Sequence, residues 1–327
     1  MLRSMYSGIS GLRNFQTKLD VIGNNIANVN THGFKKGRVI FKDLMSQTQA
    51  GASGPSMGAG GVNAKQIGLG STLATIDTIH GTGSRQNTGR VLDVAMEGEG
   101  FFVVGKLAGD DVDETLIEGF TGTAYTRAGN FYMDREGFLV NSNGDYVIGW
   151  MQEDGDLPDG ITDGMVNPDG AIITHSPLQG DDAVEISELK WAEDALQRED
   201  VAGGRILIPT DAQEISIGED GTVTYVSADG ILTFAGQIMV AKFPNAEGLT
   251  KMGNNYFQVS ANSGETQFGA GSSFGIGKTV SGGLEMSNVD LSEEFTEMIV
   301  AQRGFQANTR IITTSDEILQ ELVNLKR

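Results

Sequence analysis

The sequence predicts a mainly β protein whose two ends are α-helices. Apolar residues recur at heptad spacing at each end, and short strand-like runs broken by glycine fill the region between about 71 and 286. The 327 residues contain 46 glycines and 6 prolines and are long enough for two domains. We expect the helices to form a coiled-coil core domain, and the strands an outer β-rich domain of sandwich or barrel type with an acidic insertion.

Residues 1–35 are predicted to form a helix that ends in a turn. Apolar side chains recur at steps of three, four and seven residues, which places them along one helical stripe. Gly33 follows the stripe and suits a turn beyond the helix end. The stripe residues expected to pack in subunit assembly are Leu2, Met5, Ile9, Leu12, Leu19 and Ile26, with Ile22 and Val29 in the same pattern.

Residues 287–327 are predicted to form the second terminal helix. Asp290 and Glu293 have the spacing of a capping box, and acidic residues in a first turn complement the helix dipole. A second stripe follows at heptad spacing, with Gln302 and Thr309 at polar positions within it. Its apolar residues, also expected to pack in assembly, are Phe295, Met298, Phe305, Ile312, Leu319 and Leu322.

Neither stripe can stabilise its helix alone, because isolated helices in water are marginal. Two arrangements remain open. The two helices pair within one chain, parallel or antiparallel, or both stripes pack against other copies of the chain. Residues 1–48 carry a net charge of +5 and residues 289–327 one of −3, which is compatible with either arrangement.

Short strands are predicted for residues 71–150 and 205–286. Runs such as 100–104 and 222–226 are rich in β-branched and aromatic residues and lie between turn signals. The dipeptide Asn143-Gly144 lies between two such runs and predicts a type I′ hairpin turn.

Two segments depart from the strand pattern. Residues 36–70 are predicted to form a linker or extended loop, because residues 46–70 are rich in glycine, serine and glutamine. Residues 151–204 contain 14 acidic residues and little alternation, which predicts an acidic insertion or a small outer domain.

Composition excludes several classes of function. The net charge of −20 argues against nucleic-acid binding. No apolar run approaches the length of a membrane span, so no membrane insertion is expected. The chain has no cysteine, which removes thiol chemistry. The Gly-x-Ser-x-Gly match around Ser56 lies in the glycine-rich segment without a strand before it, so it does not indicate a nucleophile elbow. We therefore expect no enzyme activity, cofactor or metal site.

Both ends resemble the bacterial flagellar rod and hook protein family. The N-terminal motif is an asparagine-rich helix end followed by Thr-x-Gly-Phe-Lys, and the C-terminal match begins at residue 287 and closes at residues 316–319. The residues that carry the motifs are Asn24, Asn25, Asn28, Asn30, Thr31, Gly33, Phe34, Asn288, Gln302 and Arg303.

The resemblance implies a structural axial subunit of the flagellum that polymerises with itself into a helical tube around a central export channel. Implied partners are the rod, hook cap and hook–filament junction proteins and the flagellar type III export apparatus. The chain's ending is similar to that of hook proteins, which form a flexible universal joint outside the cell. A distal rod protein, part of a rigid drive shaft, is the alternative. The start lacks the apolar region of a signal peptide, so export without a cleaved signal is expected.

A bending hook would need compliant joints between its helices and its β domain. The glycine-rich part of residues 46–70 and the turn at 33–36 are the expected joints.

Overall fold

The computed structural model describes residues 2–55, 60–107, 120–150, 204–228, 230–273 and 275–325. By its internal contacts the chain divides into two compact units. The helical unit contains Met1–Asn30, Lys35–His80 and Val289–Arg327, and the β unit contains Thr31–Phe34 and Gly81–Asn288. The fold is mainly β with one helix near each end, as predicted.

The helical unit is built on α1 (Leu2–Ala27) and α2 (Leu291–Leu325). Asp290 caps α2, because its Oδ1 accepts a hydrogen bond of 2.8 Å from the backbone N–H of Ser292. The predicted capping box is only half formed. The Glu293 side chain accepts a hydrogen bond of 2.8 Å from Lys36 Nζ instead of returning to the cap.

Residues 36–70 differ from the predicted linker because they contain strands. The strands of the helical unit are β1 (Gly37–Asp43), β2 (Ser46–Ala50), β3 (Lys65–Gly68) and β4 (Ser71–Thr78). β1 pairs with β4 and β2 with β3, both antiparallel. Every residue of β2 and β3 is exposed, so no apolar alternation marks these strands in the sequence.

Among the described residues, the β unit contains the other strands and one short 3₁₀ helix. In chain order these are β5 (Arg85–Asn87), β6 (Val94–Glu97), β7 (Phe101–Leu107), β8 (Phe120–Thr126), β9 (Tyr132–Met133), β10 (Leu139–Val140), β11 (Tyr146–Trp150), β12 (Gly204–Arg205), β13 (Glu214–Ile217), β14 (Thr222–Val226), β15 (Leu232–Ile238), β16 (Val240–Lys242), the 3₁₀ helix Ala246–Gly248, β17 (Thr250–Gly253), β18 (Tyr256–Gln258), β19 (Gln267–Gly269), β20 (Lys278–Ser281) and β21 (Gly283–Glu285).

A large antiparallel sheet forms the body of the β unit. Its main strand order is β13-β14-β15-β11-β7-β8-β18-β17, and β6 and β5 pair separately with β20 and β21. Central β7 is buried on both faces. Phe102 and Val104 join a core cluster with Phe131, whereas Phe101 and Val103 join a second cluster with Phe257. This explains why residues 101–104 are continuously apolar.

The turn after β10 differs from the predicted type I′ turn. A type I′ turn requires positive φ at both central residues, but only Gly144 has it, at 81°, while Asn143 does not. The backbone N–H of Gly144 bonds to Asn141 O, and Asn141 Oδ1 accepts the N–H groups of Asn143 and Asp145. The asparagine side chain therefore organises a longer turn than the dipeptide signal implied.

The predicted acidic insertion at 151–204 lies outside the described residues, except for Gly204, which begins β12. None of the helices among the described residues is long and apolar enough to cross a membrane.

Candidate subunit-assembly site

The two terminal helices pack against each other within one chain. A β-carbon added to Gly8 would lie 3.4 Å from Ile312 Cγ1, near the end of α2. Further along α1, Lys18 Nζ lies 3.1 Å from Glu297 Oε2, near the start of α2. Because early residues of α1 meet late residues of α2, the pair is antiparallel.

Small and polar residues line the α2 side of this contact. Ala301 is fully buried, and Glu294 and Ser315 are also buried. A β-carbon on Gly304 would lie only 2.5 Å from Phe15 Cζ. The helices therefore approach closely where α2 lacks a large side chain, and residues 294, 301, 308 and 315 keep a seven-residue spacing along the contact.

The predicted α2 stripe divides between this contact and the surface. Met298, Ile312 and Leu319 are partly buried, whereas Phe295 is 50% exposed and Leu322 is 49% exposed. Phe305 is also exposed, although less so. The contact within one chain therefore lies about one residue before the predicted stripe, along Ala301 and Gly304, and the packing of the stripe in subunit assembly stays a prediction.

The predicted α1 stripe lies mostly along the partly buried face. Ile22 is the most buried apolar residue of α1. The side chain of Leu2 lies outside the described residues. Of the other predicted residues, Ile9 is exposed and Met5, Leu12, Leu19 and Ile26 are partly buried.

Asn25 of the asparagine motif joins three parts of the helical unit. Its Nδ2 donates to Gly37 O at 2.9 Å, and its Oδ1 accepts the Gly37 N–H at 3.0 Å, so it fixes the start of β1. The same Nδ2 donates to Glu294 Oε2 on α2 at 3.1 Å. Asn25 is itself buried, so these bonds satisfy groups that would be costly to leave unpaired.

The other motif residues of the helical unit have simpler surroundings. Asn28 Nδ2 donates to Asn24 O at 2.9 Å, which closes the last turn of α1. Asn24, Asn30, Gln302 and Arg303 are exposed. Their place on the surface leaves them available for contacts with another molecule.

Glu294 is a carboxylate only 4% exposed in the contact between the helices. Burial raises the pKa of Glu294, whereas the Asn25 amide and the Lys36 ammonium lower it, and Glu297 and Glu293 add to the rise. A raised folded-state pKa favours the protonated acid in the folded state. The helix pair is therefore more stable in acid, and this contribution is lost as pH rises through the folded-state pKa of Glu294.

We expect Glu294→Gln to stabilise the helix pair at neutral pH by up to about 1 kcal/mol, because glutamine keeps an oxygen for Asn25 Nδ2 without a buried charge. Denaturant unfolding of the purified chain, followed by helical circular dichroism, measures this. The advantage of the variant should shrink as pH falls. Glu293→Gln is the matched control, since Glu293 is exposed, and it should bring no gain. Equal pH profiles for wild type and Glu294→Gln would contradict the assignment.

Gly304→Leu is expected to weaken the helix pair by about 1–2 kcal/mol, because overpacking against Phe15 costs more than the better helix propensity of leucine returns. The same helical unfolding signal tests it. Gln306→Leu, at an exposed position two residues on, should change stability by less than about 0.5 kcal/mol. If Gly304→Leu were at least as stable as wild type, the close approach at Gly304 would be refuted.

The remaining motif residues lie in the β unit. Gly33 has φ of 70°, and its N–H donates to Glu285 O at 2.9 Å. Asn288 Nδ2 donates to Gly81 O at 3.3 Å, and Thr31 O accepts the Phe34 N–H. These contacts hold the turn after α1 and the segment before α2 to the β unit.

Glu285 also forms a buried ion pair. Arg127 is 2% exposed and Glu285 3%, and Arg127 Nη1 lies 3.3 Å from Glu285 Oε2. Arg127 also donates to the carbonyls of Met96 and Gly98, at 3.4 and 2.6 Å. Burial lowers the pKa of Arg127, and Glu285 opposes this. Sequence reasoning gave neither residue a role, because a buried pair leaves no periodic signal.

A metal-binding cluster is not evident in the part of the chain that the structure describes. Within it, no three His, Cys, Asp or Glu side chains come close enough together to hold a metal ion. The arrangement that the described residues do offer is a set of helix faces, ribbons and anchored segments, which suits contact with other proteins.

Three family models match parts of the chain. Residues 5–35 match the flagella basal body rod protein family, residues 95–174 the D1 domain of flagellar hook proteins FlgE/F/G, and residues 280–325 the C-terminal region of flagellar basal body rod FlgEFG proteins. The flagellar basal-body rod protein FlgG of Bacillus subtilis is 50% identical over all of both chains. This chain belongs to the flagellar rod and hook protein family.

The chain is similar both to proteins named as hook proteins and to proteins named as rod proteins. The flagellar hook protein FlgE of Borreliella burgdorferi is 33% identical over 454 aligned residues, and the FlgG rod protein of the same organism is 32% identical over 335. Each alignment covers all of both chains. The solved hook protein FlgE2 of Helicobacter pylori is 22% identical over 38% of this chain and 22% of its own, with a TM-score of 0.20.

Proposed function

We propose that this axial protein of the flagellum is the subunit of the hook, the flexible tube that joins rod to filament. The comparison within Borreliella burgdorferi carries the proposal. Identity of 33% over 454 positions is about 150 identical residues, whereas 32% over 335 is about 107. The chain therefore has more positions in common with the hook protein of that organism than with its rod protein.

A distal rod subunit is the second candidate. It is favoured by the 50% identity to the Bacillus subtilis protein named as a basal-body rod protein. That alignment is 331 positions long and this chain has 327 residues, so few gaps are needed. In a rod the same helices would serve a rigid shaft, and no bending would be required of the subunit.

Exposed apolar side chains on α2 support self-polymerisation under either candidate. Val300, Ile311, Ile318 and Leu322 are all more than 40% exposed. Because 11 and 18 residues are close to whole numbers of helical turns, these four lie along one flank of α2. About half of each side chain is already covered, so burying the rest is worth roughly 1 kcal/mol each, which one chain does not gain alone.

The exposed ribbon of β2 and β3 supports the same conclusion. A two-stranded ribbon without a buried face is marginal in water. Contact with another subunit would cover it. Two different surfaces meeting in this way form a head-to-tail contact, which builds a helical tube when the rotation between subunits does not close a ring.

The same proposal extends to location and partners. The subunit would follow the type III export route, assemble beneath a hook cap, and contact the rod below and the junction proteins above. The hook lies outside the cell, so the chain would be extracellular in the assembled flagellum.

Site-specific labelling in the source bacterium tests the proposal. The natural chain has no cysteine, so Glu136→Cys, at an exposed turn, gives one thiol for a maleimide-linked gold particle. Electron microscopy of detergent-extracted hook–basal bodies then locates the gold. Gold on the curved segment beyond the envelope is the expected result. Gold confined to the straight shaft would overturn the hook assignment in favour of the rod.

A further inference from the structure

The chain passes between its two units at four points, after residues 30, 34, 80 and 288. Three segments of the β unit lie at these passages: Thr31–Phe34, the stretch that begins at Gly81, and the stretch that ends at Asn288. Any force exchanged between the units along the backbone has to enter the β unit through these three segments.

All three segments bond to Glu285 or to its immediate neighbour. The Gly33 N–H donates to Glu285 O at 2.9 Å. The Gly83 N–H donates to Glu285 Oε1, also at 2.9 Å. The third segment continues directly from Glu285, and the Met286 N–H donates to Ser84 O at 2.9 Å.

Further contacts hold the three segments together. Asn288 Nδ2 donates to Gly81 O at 3.3 Å, which joins the second segment to the third. Asn255 Nδ2 donates to His32 O at 3.0 Å, which holds the first segment to the turn before β18. A β-carbon on Gly83 would lie 2.0 Å from Met286 O, so the second and third segments are in direct backbone contact.

Arg127 connects these segments to the sheet. It follows β8, one of the central strands, and its guanidinium pairs with the second carboxylate oxygen of Glu285 while donating to two backbone carbonyls. The guanidinium makes one bond to the carboxylate and two to backbone carbonyls, and these three bonds together fix its position. Because both side chains are almost fully buried, the pair is poorly screened by water.

We propose that Glu285 is the fastening point at which all three connecting segments are secured to the β unit, so that torque passing between the units enters the sheet through Glu285 and Arg127. The mechanical part of this proposal rests on the proposed function as a torque-transmitting axial subunit. It also reverses an expectation from sequence: the turn at Gly33 is anchored, and compliance has to lie outside Thr31–Phe34.

Hydrogen exchange of the purified chain tests the fastening without reference to flagella. Glu285→Gln keeps the size of the side chain and removes the charge that Arg127 requires. We expect the amides of Gly33, Gly83 and Met286 to exchange at least about tenfold faster together, since each depends on one shared anchor. Glu97→Gln is the matched control, because it removes the same charge nearby, but Glu97 is exposed and pairs with Arg85 and Lys278 rather than with Gly33, Gly83 or Met286.

Two results would overturn the fastening. One is faster exchange at Gly83 alone, with Gly33 and Met286 unchanged. The other is free exchange of Gly33 and Gly83 in the wild-type chain. Asn288→Ala serves if Glu285→Gln does not fold: it leaves the ion pair intact, and we expect faster exchange around Gly81 and Ser287 only. Unchanged exchange in that variant would contradict the proposed connection between the second and third segments.

A cell-based assay tests the mechanical role separately. Bacteria carrying Glu285→Gln should assemble axial structures but retain fewer intact flagella than Glu97→Gln cells when they swim in a viscous medium. Equal retention, together with the expected exchange result, would leave the fastening in place and overturn its role in torque. Gold located on the rod instead of the hook would overturn the proposed function but would leave the conclusion from the exchange data unchanged.

Discussion

Arg127→Met is expected to lower the free energy of unfolding of the β unit by about 3–5 kcal/mol. Methionine has the length to fill much of the space, but it leaves the Glu285 carboxylate buried without a cation at 3.3 Å. The carbonyls of Met96 and Gly98 lose their donors in the same change. Denaturant unfolding followed by intrinsic fluorescence measures the loss, because Trp150 lies in β11 of the sheet.

A double variant distinguishes the free-energy cost of leaving one charge unpaired from the free energy that the ion pair itself contributes. In Arg127→Met/Glu285→Leu neither charge is buried, so this variant should lose clearly less than the sum of the two single changes. Arg85→Met is the control at an exposed pair, where Arg85 lies 3.8 Å from Glu97, and it should cost less than about 1 kcal/mol. Additive losses in the double variant would show that Arg127 and Glu285 do not act as a pair.

The sequence predicted the type and order of elements well where the periodic signal came from large apolar residues. Central β7 is continuously apolar because both of its faces are buried, and this was visible in residues 101–104. The two terminal helices were equally visible. Asp290 was also recognisable as a helix cap, because a cap depends on a short-range bond to the next turn.

Other features left no such signal. β2 and β3 are mostly polar and exposed on both faces, so in the sequence they looked the same as the glycine-rich linker around them. The contact between the helices depends on Ala301 and Gly304, whose small size matters only once Phe15 is opposite them. Glu285 and Arg127 are 158 residues apart in sequence, and no local pattern could join them.

Gly33 connects the family motif with the anchored segment, and Gly33→Ala is expected to destabilise the β unit by about 2–4 kcal/mol. At φ of 70° an L-residue pays roughly 1–2 kcal/mol for the left-handed conformation. The new β-carbon would also lie 2.7 Å from Ala128 N and Arg127 C, which are backbone atoms of the neighbouring strand end and cannot rotate away. Relief requires a backbone shift that lengthens the bond from Gly33 N–H to Glu285 O.

Gly23→Ala is the informative comparison, because Gly23 directly precedes Asn24 of the asparagine motif but lies inside α1. A β-carbon there meets no atom within 4 Å, so alanine should stabilise the helix by up to about 1 kcal/mol. A lower free energy of unfolding for Gly33→Ala and a higher one for Gly23→Ala would distinguish a glycine that anchors the turn from one that only tolerates substitution. Denaturant unfolding of both variants gives the comparison, and a loss at Gly23 equal to that at Gly33 would mean that the backbone conformation at Gly33 is not what the motif requires.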